Sequence, residues 1–518
     1  MKNQHLHQAA SVDSVNSEST PPIQFAAIDL GSNSFHLAIA EFDGHTLRVI
    51  GRLKEKVQLA AGLDSKDMLS DEAIERGVNC LKLFAERIQD IDRQYVTVVG
   101  TYTLRKAVNA SEFVKKAEAI LSHNIDILPG REEARLIYDG VSHNHPDLKR
   151  ALVIDIGGGS TEIILGEQFE PEVLDSLGIG CVTTKKFFPD NKITEENFNQ
   201  AVINASIGVS EVKKFYRSGN WEHCLGSSGS IESVYKVLAN LNLAQGFMTF
   251  EHLKFLKQKL IDIADFENIN FSGLTESRKS TFTCGVAILY GLFETLEIDK
   301  MHIADASLRE GILLELTEEL KGNDIRHQTA VSLMKRFNVD HDHASQVQQS
   351  AQLIFDQTAD LWGIYDPIYK NYLDWACQLH EVGLSISFSK LRMHSAYIVQ
   401  YGDMPGFSQQ TKDSLAAIIA NQKKKLFIEQ LEHKYDEQDA LLSVVLILRL
   451  AILFNVKRDA HNIEELTFKA SDQHKMIITI PASWAKEHQL IIAELRREAA
   501  YLDYHGISLE VDIIKSAS

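Results

Sequence analysis

The sequence predicts an α/β protein in which one α/β unit occurs twice, followed by a mostly helical half and a small C-terminal domain that contains β structure. Three observations support this prediction. The segment ALVIDIGGGSTEIILGE at 151–167 repeats the pattern of AAIDLGSNSFHLAIAE at 26–41. The order of strand-like and helix-like segments also repeats between residues 24 and 316. Beyond residue 321, apolar residues recur at helical spacing instead.

Length and charge limit the classes of protein to which the chain can belong. Its 518 residues exceed what one hydrophobic core usually supports, which predicts about two to four domains. The formal net charge of −18 argues against a protein that coats nucleic acid or an anionic membrane surface. A local basic groove remains compatible with that charge. We therefore expect a soluble multidomain protein with no nucleic-acid partner.

Cysteine usage and the terminal segment indicate a reducing compartment. The five cysteines are scattered without a C-x-x-C spacing, which is typical of free thiols. Residues 1–22 are polar and lack the apolar centre of a signal peptide, so we expect a disordered tail. The apolar stretch at 440–454 contains Arg449 and is shorter than the roughly 20 residues that span a bilayer. These features predict a cytoplasmic protein in which 440–454 is a buried helix.

The first unit begins with three strand-like runs separated by glycine-containing turns, between Phe25 and Gly51. In the segment 70–90, Ser70 is placed to cap a helix with one apolar face. That face consists of Ile74, Val78, Leu81 and Phe84. A buried strand (YVTVVGT), a helix (SEFVKKAEAIL) and a strand–turn–helix run (IDILPGREEARLIYDGV) complete the unit.

The second unit repeats this order after SHNHPDLKR, which we interpret as a linker. Strands fill 151–166, and HCLGSSGSIESVYKVL and KMHIADASLREGILLEL each have the pattern of a strand, a turn and a helix. The predicted domains are the two α/β units at 23–136 and 137–316, a helical domain at 322–405, and a C-terminal region of helices and β structure at 406–518.

The repeated turn has the chemistry of a phosphate-binding element. Its glycines let the backbone turn tightly and approach a ligand closely. Consecutive N–H groups with serine hydroxyls beside them form a cradle for an anion. Asp29 and Asp155 stand just before the two turns and can hold a hydrated Mg²⁺. The sequence therefore predicts two turns that face each other and grip a phosphate chain.

Two other phosphate-binding motifs do not fit. The Rossmann fingerprint requires a glycine where Glu162 stands, and a Walker loop requires Gly–Lys–Ser/Thr. Paired phosphate-binding hairpins in duplicated α/β domains are typical of the actin-like (ribonuclease H-like) proteins, which include sugar kinases and Hsp70. The chain resembles that superfamily.

Within the superfamily, several blocks resemble the exopolyphosphatase/guanosine pentaphosphatase family. In order, they are AAIDLGSNSFHLAIA, GTYTLRKAVNASEF, GREEARLIYDGV, LVIDIGGGSTEIILGE, LGSSGSIESV and DASLREGILLE. The resemblance continues in the helical half, which is similar to an HD domain, through WACQLHEVGLSISFSKLRMHSAYIVQ and DMPGFS. IGRLKEKVQLAAGL and the intact IDIGGGSTE favour the exopolyphosphatase branch over the closely similar pentaphosphatase branch.

The resemblance implies an activity and a set of site residues. It implies that the chain uses Mg²⁺ to remove terminal orthophosphate from inorganic polyphosphate, processively. It assigns Glu133 as the general base and suggests that the neighbouring side chains point outward. Spacing alone leaves open that Glu132 and Glu133 merely suit the macrodipole of a helix that they begin. Arg105 is a candidate clamp on the terminal phosphates, since its planar fork suits phosphate oxygens.

The remaining site residues fall into two groups. The expected phosphate-binding residues are Ser32, Asn33, Ser34, Gly157, Gly158, Gly159, Ser160, Thr161, Gly226, Ser227 and Ser228. The expected metal ligands are Asp155 and Glu162, with Asp29 as an outer ligand.

The helical half carries a second, weaker signal. QLHEVG at 378–383, together with His394, is similar to the motif of metal-dependent HD phosphohydrolases, but Glu381 replaces the aspartate that should follow His380. This departure favours a helical scaffold with satisfied histidines over a working metal site. We interpret DHDH at 340–343 as a solvated helix start. KKK at 423–425 fits a solvated face that could also guide a polyanion.

Two alternative functions stay open. A protein of the same fold could hydrolyse guanosine pentaphosphate (pppGpp) to the tetraphosphate. A non-catalytic actin-like sensor or filament protein would keep the hairpins but would not need Glu133. The resemblance also suggests a homodimer whose subunits lengthen a basic channel. Peripheral association with the inner face of the cell membrane is left open.

Overall fold

The computed structural model describes residues 22–44, 46–146, 148–322, 324–431, 438–458, 463–472 and 475–514. The tail predicted over residues 1–22 lies outside these ranges except for Pro22. The chain forms two α/β regions, a helical region and a small three-stranded sheet. The fold class predicted from the sequence is therefore confirmed. No helix of the described residues is long and apolar enough to cross a bilayer.

The first α/β region contains a five-stranded sheet with the order β3-β2-β1-β4-β5. Strands β1 to β3 pair antiparallel, whereas β4 and β5 extend the sheet in parallel from the other edge of β1. The strands are β1 (Ile23–Leu30), β2 (Ser34–Phe42), β3 (Leu47–Lys56), β4 (Val96–Gly100) and β5 (Ile125–Ile127). The helices are α1 (Asp71–Ile88), α2 (Tyr102–Lys106), α3 (Ala110–Leu121) and α4 (Gly130–Asn144).

Helix α1 shows how the local sequence directs this packing. The Ser70 hydroxyl accepts a hydrogen bond from the Ala73 amide at 3.3 Å, so the predicted N-cap is confirmed. Ile74, Leu81 and Phe84 are buried in the core beneath the sheet, and Val78 packs against that core. The helical spacing of apolar residues was therefore sufficient to identify both the helix and its buried face.

The second α/β region repeats the first. Its six-stranded sheet has the order β10-β11-β9-β6-β7-β8, in which β6 to β8 are antiparallel and β9 and β11 are parallel to β6. The strands are β6 (Arg150–Ile156), β7 (Thr161–Glu167), β8 (Glu170–Leu177), β9 (His223–Ser227), β10 (Phe247–Thr249) and β11 (Lys300–Ile303). The helices are α5 (Glu195–Ser210), α6 (Lys213–Tyr216), α7 (Ser228–Asn240), α8 (Phe250–Ile263), α9 (Glu276–Leu296) and α10 (Leu308–Leu320).

The two α/β regions exchange helices. Helix α4 follows the first sheet in sequence but packs against β7 and β8 of the second, while α10 packs against β1 and β2 of the first. The predicted boundary at 136/137 falls inside α4, and the predicted linker begins with residues that still belong to that helix. A sequence pattern marks where a helix lies but does not say which sheet it covers. The domain limits themselves stay a prediction.

A glycine contact fixes the approach of α4 and α10. A Cβ added at Gly311 would lie 1.9 Å from the Leu136 carbonyl oxygen, which is backbone and cannot rotate away. We therefore expect Gly311→Ala to lower the free energy of unfolding by about 1–3 kcal/mol or more, measured by urea denaturation. Gly51→Ala is the matched control, because its Cβ would lie 3.8 Å from the nearest heavy atom. Equal stability of the two variants would contradict the close helix contact.

The C-terminal half begins with six helices and ends in a three-stranded sheet, β12-β13-β14. The helices are α11 (Ile325–Arg336), α12 (His341–Trp362), α13 (Pro367–Leu379), α14 (Leu391–Tyr401), α15 (Gln409–Ala420) and α16 (Gln438–Phe454). They are followed by β12 (Thr467–Asp472), β13 (Lys475–Pro481), α17 (Ala482–Glu487), α18 (Gln489–Asp503) and β14 (Ser508–Ile514).

Helix α16 contains the apolar stretch that the sequence predicts to be a buried helix, and this prediction is confirmed. Its residues lie in the core of the helical region. Arg449, the charged residue within it, is buried and ion-paired with Glu498 at 2.5 Å. The same guanidinium donates to the Asn421 carbonyl at 2.6 Å. The buried charge is therefore paired and hydrogen-bonded, as burial requires.

Candidate active site

The two glycine turns touch each other. Gly158 lies in the turn between β6 and β7, and Ser32 and Asn33 lie in the turn between β1 and β2. A Cβ added at Gly158 would lie 3.0 Å from the Ser32 Cβ and 3.2 Å from the Asn33 amide nitrogen. Both turns line one cavity of about 390 Å³, and Asp29 and Asp155 face into it together. The cavity opens between the two α/β regions. The structure thus brings together the two repeated segments that the sequence predicts to share a ligand.

The second glycine turn is held in position by hydrogen bonds from the loop packed beneath it. The Cys181 amide donates to the Gly157 carbonyl at 3.0 Å, and the Val182 amide donates to the Gly158 carbonyl at 2.8 Å. Gly180 allows this approach, since a Cβ there would lie 2.4 Å from the Gly158 carbonyl oxygen. With these carbonyls occupied from below, the turn is fixed in a single position against the cavity.

Acidic side chains cluster behind the turns. Asp155 and Glu162 are directly opposite each other in the β6–β7 ladder, so their side chains share one face. The Ser176 hydroxyl donates to Glu162 at 2.7 Å. Burial is the main cause that raises the pKa of Asp29 and of Asp155 to about 7, and the Glu133 carboxylate adds to both shifts. Burial, followed by the Glu133 and Asp155 charges, also raises the pKa of Glu162.

This cluster has the chemistry of a divalent cation site. Asp155 and Glu162 are buried and Asp29 is half-buried, and the Oδ1 atom of Asp29 has no hydrogen-bond partner in the described part of the chain. Crowded, desolvated carboxylates are costly unless a cation or a proton neutralises them. Hard oxygen ligands of this kind suit Mg²⁺. Asp29 and Asp155, on opposite hairpins, line the cavity and fit the ion. Glu162 does not line it, and among the described residues the ligand atoms of these three carboxyls are not all within 4.8 Å of one another.

A pH-dependent stability effect follows from these carboxyls. Because the folded-state pKa of Asp155 lies near 7, above that of an unfolded chain, the ion-free protein should lose stability as pH rises from about 4 to about 7. In EDTA at pH 8, Asp155→Asn should therefore melt a few degrees above the wild type. At pH 4.5 the two proteins should melt at nearly the same temperature.

Mg²⁺ should reverse that order. Adding the ion at pH 8 should raise the melting temperature of the wild type but not that of Asp155→Asn, since binding to the folded state stabilises it. The measurement is differential scanning calorimetry with and without Mg²⁺. An unchanged Mg²⁺ effect in the variant would show that Asp155 does not hold the ion.

Glu133 lies at the first turn of α4 and faces the same cavity. Arg105, at the end of α2, donates from Nη1 to the Glu133 Oε2 atom at 2.7 Å and to the Leu128 carbonyl at 2.8 Å. The sequence predicts that Arg105 clamps phosphate. The structure places its guanidinium on Glu133 and outside the residues that line the cavity. Arg105 therefore holds the predicted base in position.

Glu132 does not point outward, contrary to the expectation for the neighbours of Glu133. It is only 6 % exposed, and its carboxylate accepts hydrogen bonds from the Arg135 Nε atom at 3.0 Å. The expectation was wrong because helical domain residues cover this side of α4, which local sequence cannot reveal. The Gly406 amide also donates to Glu132, at 3.0 Å.

A basic cluster also lines the cavity. Lys54, Arg278 and Arg309 come from β3, α9 and α10, and no salt bridge to a carboxylate joins any of them among the described residues. Desolvation, with Arg278 and Arg309 close by, lowers the pKa of Lys54 to about 8. Crowded cations without carboxylate partners mark a place where an anion is favoured. Arg309 belongs to the DASLREG block and Lys54 to the segment IGRLKEKVQLAAGL, whereas no motif surrounds Arg278.

The cavity contacts most, but not all, of the predicted phosphate-binding residues. Those that line it are Ser32, Asn33, Ser34, Gly157, Gly158, Gly159, Ser160 and Ser228. Thr161, Gly226 and Ser227 do not. The Thr161 hydroxyl donates to the Ile179 carbonyl, and a Cβ at Gly226 would meet Ile231. Ser227 is buried, and its hydrogen bond to Asp155 lowers the pKa of that carboxyl. The Ser227 hydroxyl donates to the Ala306 carbonyl at 2.9 Å.

In the helical half, the sequence favours a scaffold with satisfied histidines over a metal site. That expectation is wrong for His380, whose Nε2 atom is buried without a hydrogen-bond partner among the described residues. A cluster of possible metal ligands forms instead. His343, His380 and Glu381 each bring a potential ligand atom within 4.8 Å of the others, while His394 lies outside the cluster. The DHDH segment is thus not a wholly solvated helix start, because His343 is buried. Arg458 donates to both oxygens of Glu381, at 2.6 and 2.9 Å. The carboxylate is therefore already neutralised by a guanidinium. The KKK segment is exposed at Lys424 and Lys425 and half-buried at Lys423.

Two family profiles match the chain over most of its length. Residues 38–320 match the Ppx/GppA phosphatase family, and residues 325–499 match domain III of the Ppx/GppA phosphatases. Three curated relatives named guanosine-5'-triphosphate,3'-diphosphate pyrophosphatase are each 38 % identical to it and come from Photobacterium profundum, Aeromonas hydrophila and Vibrio vulnificus. The first match covers 92 % of this chain and 95 % of the relative.

Solved structures resemble the N-terminal half. An exopolyphosphatase from Cytophaga hutchinsonii is 20 % identical with a TM-score of 0.52, and covers 57 % of this chain and 98 % of its own. An exopolyphosphatase-like protein is 24 % identical with a TM-score of 0.53, covering 58 % of this chain and 100 % of its own. At this identity the likeness establishes the fold of the two α/β regions.

Proposed function

Because the chain belongs to the Ppx/GppA phosphatase family, whose members hydrolyse phosphoanhydrides, we propose that it removes the terminal phosphate of the 5′-triphosphate of pppGpp. The observation that carries this proposal is that one cavity offers two sets of groups for phosphate. The glycine turns and the acidic cluster line it, and so does the basic cluster of Lys54, Arg278 and Arg309. A substrate with phosphate groups at two positions of one ribose would engage both sets.

The relatives support the same choice. The three curated relatives, each of which covers 92 % of this chain, are named guanosine-5'-triphosphate,3'-diphosphate pyrophosphatase. Two short segments, IGRLKEKVQLAAGL and IDIGGGSTE, favour the exopolyphosphatase branch instead. We now place pppGpp first and inorganic polyphosphate second. Polyphosphate remains a candidate since it offers the same terminal phosphoanhydride to the two hairpins.

In the proposed reaction, the carboxyls and the glycine turns have separate roles. Glu133 accepts a proton from the attacking water, and Arg105 keeps its carboxylate aimed at the cavity. The turn residues donate hydrogen bonds to the terminal phosphates. Asp155, Glu162 and Asp29 would hold Mg²⁺, which when bound offsets the negative charge of the phosphate oxygens. As part of the proposal, the protein acts as a homodimer.

Substrate choice can be tested by substitution in the basic cluster. We expect Arg278→Ala to raise KM for pppGpp by about 10-fold or more, because it removes hydrogen bonds from a charged donor to the 3′-diphosphate. KM for GTP, which has no 3′-diphosphate, should change little. The measurement is phosphate release under matched Mg²⁺. Lys279→Ala is the control, since that neighbouring lysine pairs with Glu276 instead.

The same assay separates the candidate substrates. Faster phosphate release from polyphosphate than from pppGpp at matched substrate would reverse their order. If Arg278→Ala raises KM for GTP as much as KM for pppGpp, the basic cluster does not bind the 3′-diphosphate. Binding of either substrate without any turnover would favour the sensor alternative.

A further inference from the structure

A turn of the helical half grips the chain segment that carries Glu133. We propose that Glu132 and Gln410 are positioning residues, through which the 402–410 segment of the helical half sets the position of the Glu133 carboxylate. This inference rests on the proposed role of Glu133 in phosphoanhydride hydrolysis, but not on the choice between pppGpp and polyphosphate.

Gln410 contacts β5, the strand that precedes the first turn of α4 and Glu133. Its Oε1 atom accepts a hydrogen bond from the Ile127 amide at 2.8 Å, and its Nε2 atom donates to the Ile125 carbonyl at 3.0 Å. Strand β5 is the edge of the first sheet, so these groups face away from the neighbouring strand. One side-chain amide therefore replaces a missing strand partner and fixes the edge.

Glu132 makes the second contact. Consecutive residues of a helix point about 100° apart, so Glu133 faces the cavity while Glu132 faces the helical half. The Glu132 Oε1 atom accepts from the Gly406 amide at 3.0 Å. The turn that presents this amide is itself held, since the Thr329 hydroxyl donates to the Pro405 carbonyl at 2.8 Å. Gly406 has φ +84°, which favours glycine there.

Arg135 fastens Glu132 from within α4. Its guanidinium also pairs with Asp139 at 2.6 Å and with Glu315 of α10. The Glu132 carboxylate is thus held between α4, α10 and the Gly406 turn. An exposed Glu132 would satisfy the helix terminus equally well. Its burial at a three-way junction indicates that it joins these elements.

Residues 125–133, which include Glu133, are consequently held from two sides. Arg105 binds the Leu128 carbonyl and Glu133 from the first α/β region, while Gln410 and Gly406 hold residues 125–132 from the helical half. Catalytic groups must lie within about 0.5 Å of their productive position. A misplacement of about 1 Å can cost 10²-fold in rate. Removing the contacts from the helical half should therefore slow turnover without weakening substrate binding.

Gln410→Ala tests the inference, and Gln409→Ala is its matched control. Gln409 is the adjacent residue, is also half-buried, and hydrogen-bonds only within its own helix, to Asp413 at 2.9 Å, among the described residues. We expect Gln410→Ala to lower kcat by about 10-fold with KM and melting temperature close to the values of Gln409→Ala. Glu132→Gln, which can still accept from Gly406, should be milder than Glu132→Ala. The assay is phosphate release from both pppGpp and polyphosphate.

A second readout does not depend on the substrate. In hydrogen–deuterium exchange, residues 125–133 should exchange faster in Gln410→Ala than in Gln409→Ala, because the Ile127 amide loses its acceptor. Equal exchange and equal kcat in the two variants would overturn the inference. A loss confined to KM would also overturn it. Failure of the wild type to hydrolyse pppGpp would overturn the proposed function alone.

Discussion

Replacement of Glu133 by glutamine is expected to lower kcat by about 10²–10⁴-fold, the range that a general base contributes, while KM stays close to the wild-type value. Glutamine has nearly the same shape and can still accept a hydrogen bond from Arg105, which contacts the carboxylate at 2.7 Å. It cannot take a proton from water. Single-turnover phosphate release, with substrate binding measured separately, is the appropriate assay.

A matched control separates catalysis from helix electrostatics. Glu195 and Glu196 lie in the first turn of α5, as Glu132 and Glu133 lie in the first turn of α4, but both residues of the α5 pair are exposed. Glu196→Gln therefore removes an exposed first-turn carboxylate whose main interaction is with the macrodipole. We expect it to leave kcat unchanged. If Glu133→Gln also retains kcat, the base has been assigned to the wrong residue and the macrodipole explains Glu133.

The hairpins could be found from sequence because their chemistry is local. Glycine, serine and aspartate occur together at each turn, and the spacing puts Asp29 and Asp155 at equivalent positions of β1 and β6. Strand pairing then carries Glu162 opposite Asp155 without further information. Most of the predicted phosphate-binding residues line the cavity for the same reason.

Residues that meet only in the folded chain could not be found this way. Arg278 reaches the cavity from α9 with no motif around it, and Lys54 reaches it from β3 within a segment whose pattern does not single out that lysine. The burial of Glu132 depends on Gly406, far along the chain. The histidine cluster illustrates the same limit, since His343 joins His380 where the sequence suggested His394. Each error concerns which distant surface covers a correctly identified element.

Replacement of Arg105 by lysine is the second large effect that we expect, with kcat lowered by about 10²-fold, the cost of misplacing a catalytic group by about 1 Å. Arg105 uses one nitrogen to hold the Leu128 carbonyl at 2.8 Å and the Glu133 carboxylate at 2.7 Å. Lysine keeps the charge but presents it as a flexible point, without the planar fork. It should therefore neutralise Glu133 without fixing its direction.

The outcome distinguishes two roles for this arginine. If Arg105 bound phosphate directly, as the sequence suggests, Arg105→Lys would raise KM, since lysine would still attract the anion but with fewer hydrogen bonds. If it aims Glu133, kcat should fall while KM changes little, and Arg105→Lys combined with Glu133→Gln should be no slower than Glu133→Gln alone. Lys106→Ala is the control, because Lys106 pairs with Asp67 on the surface. A multiplicative loss in the double variant would show that the two residues act independently.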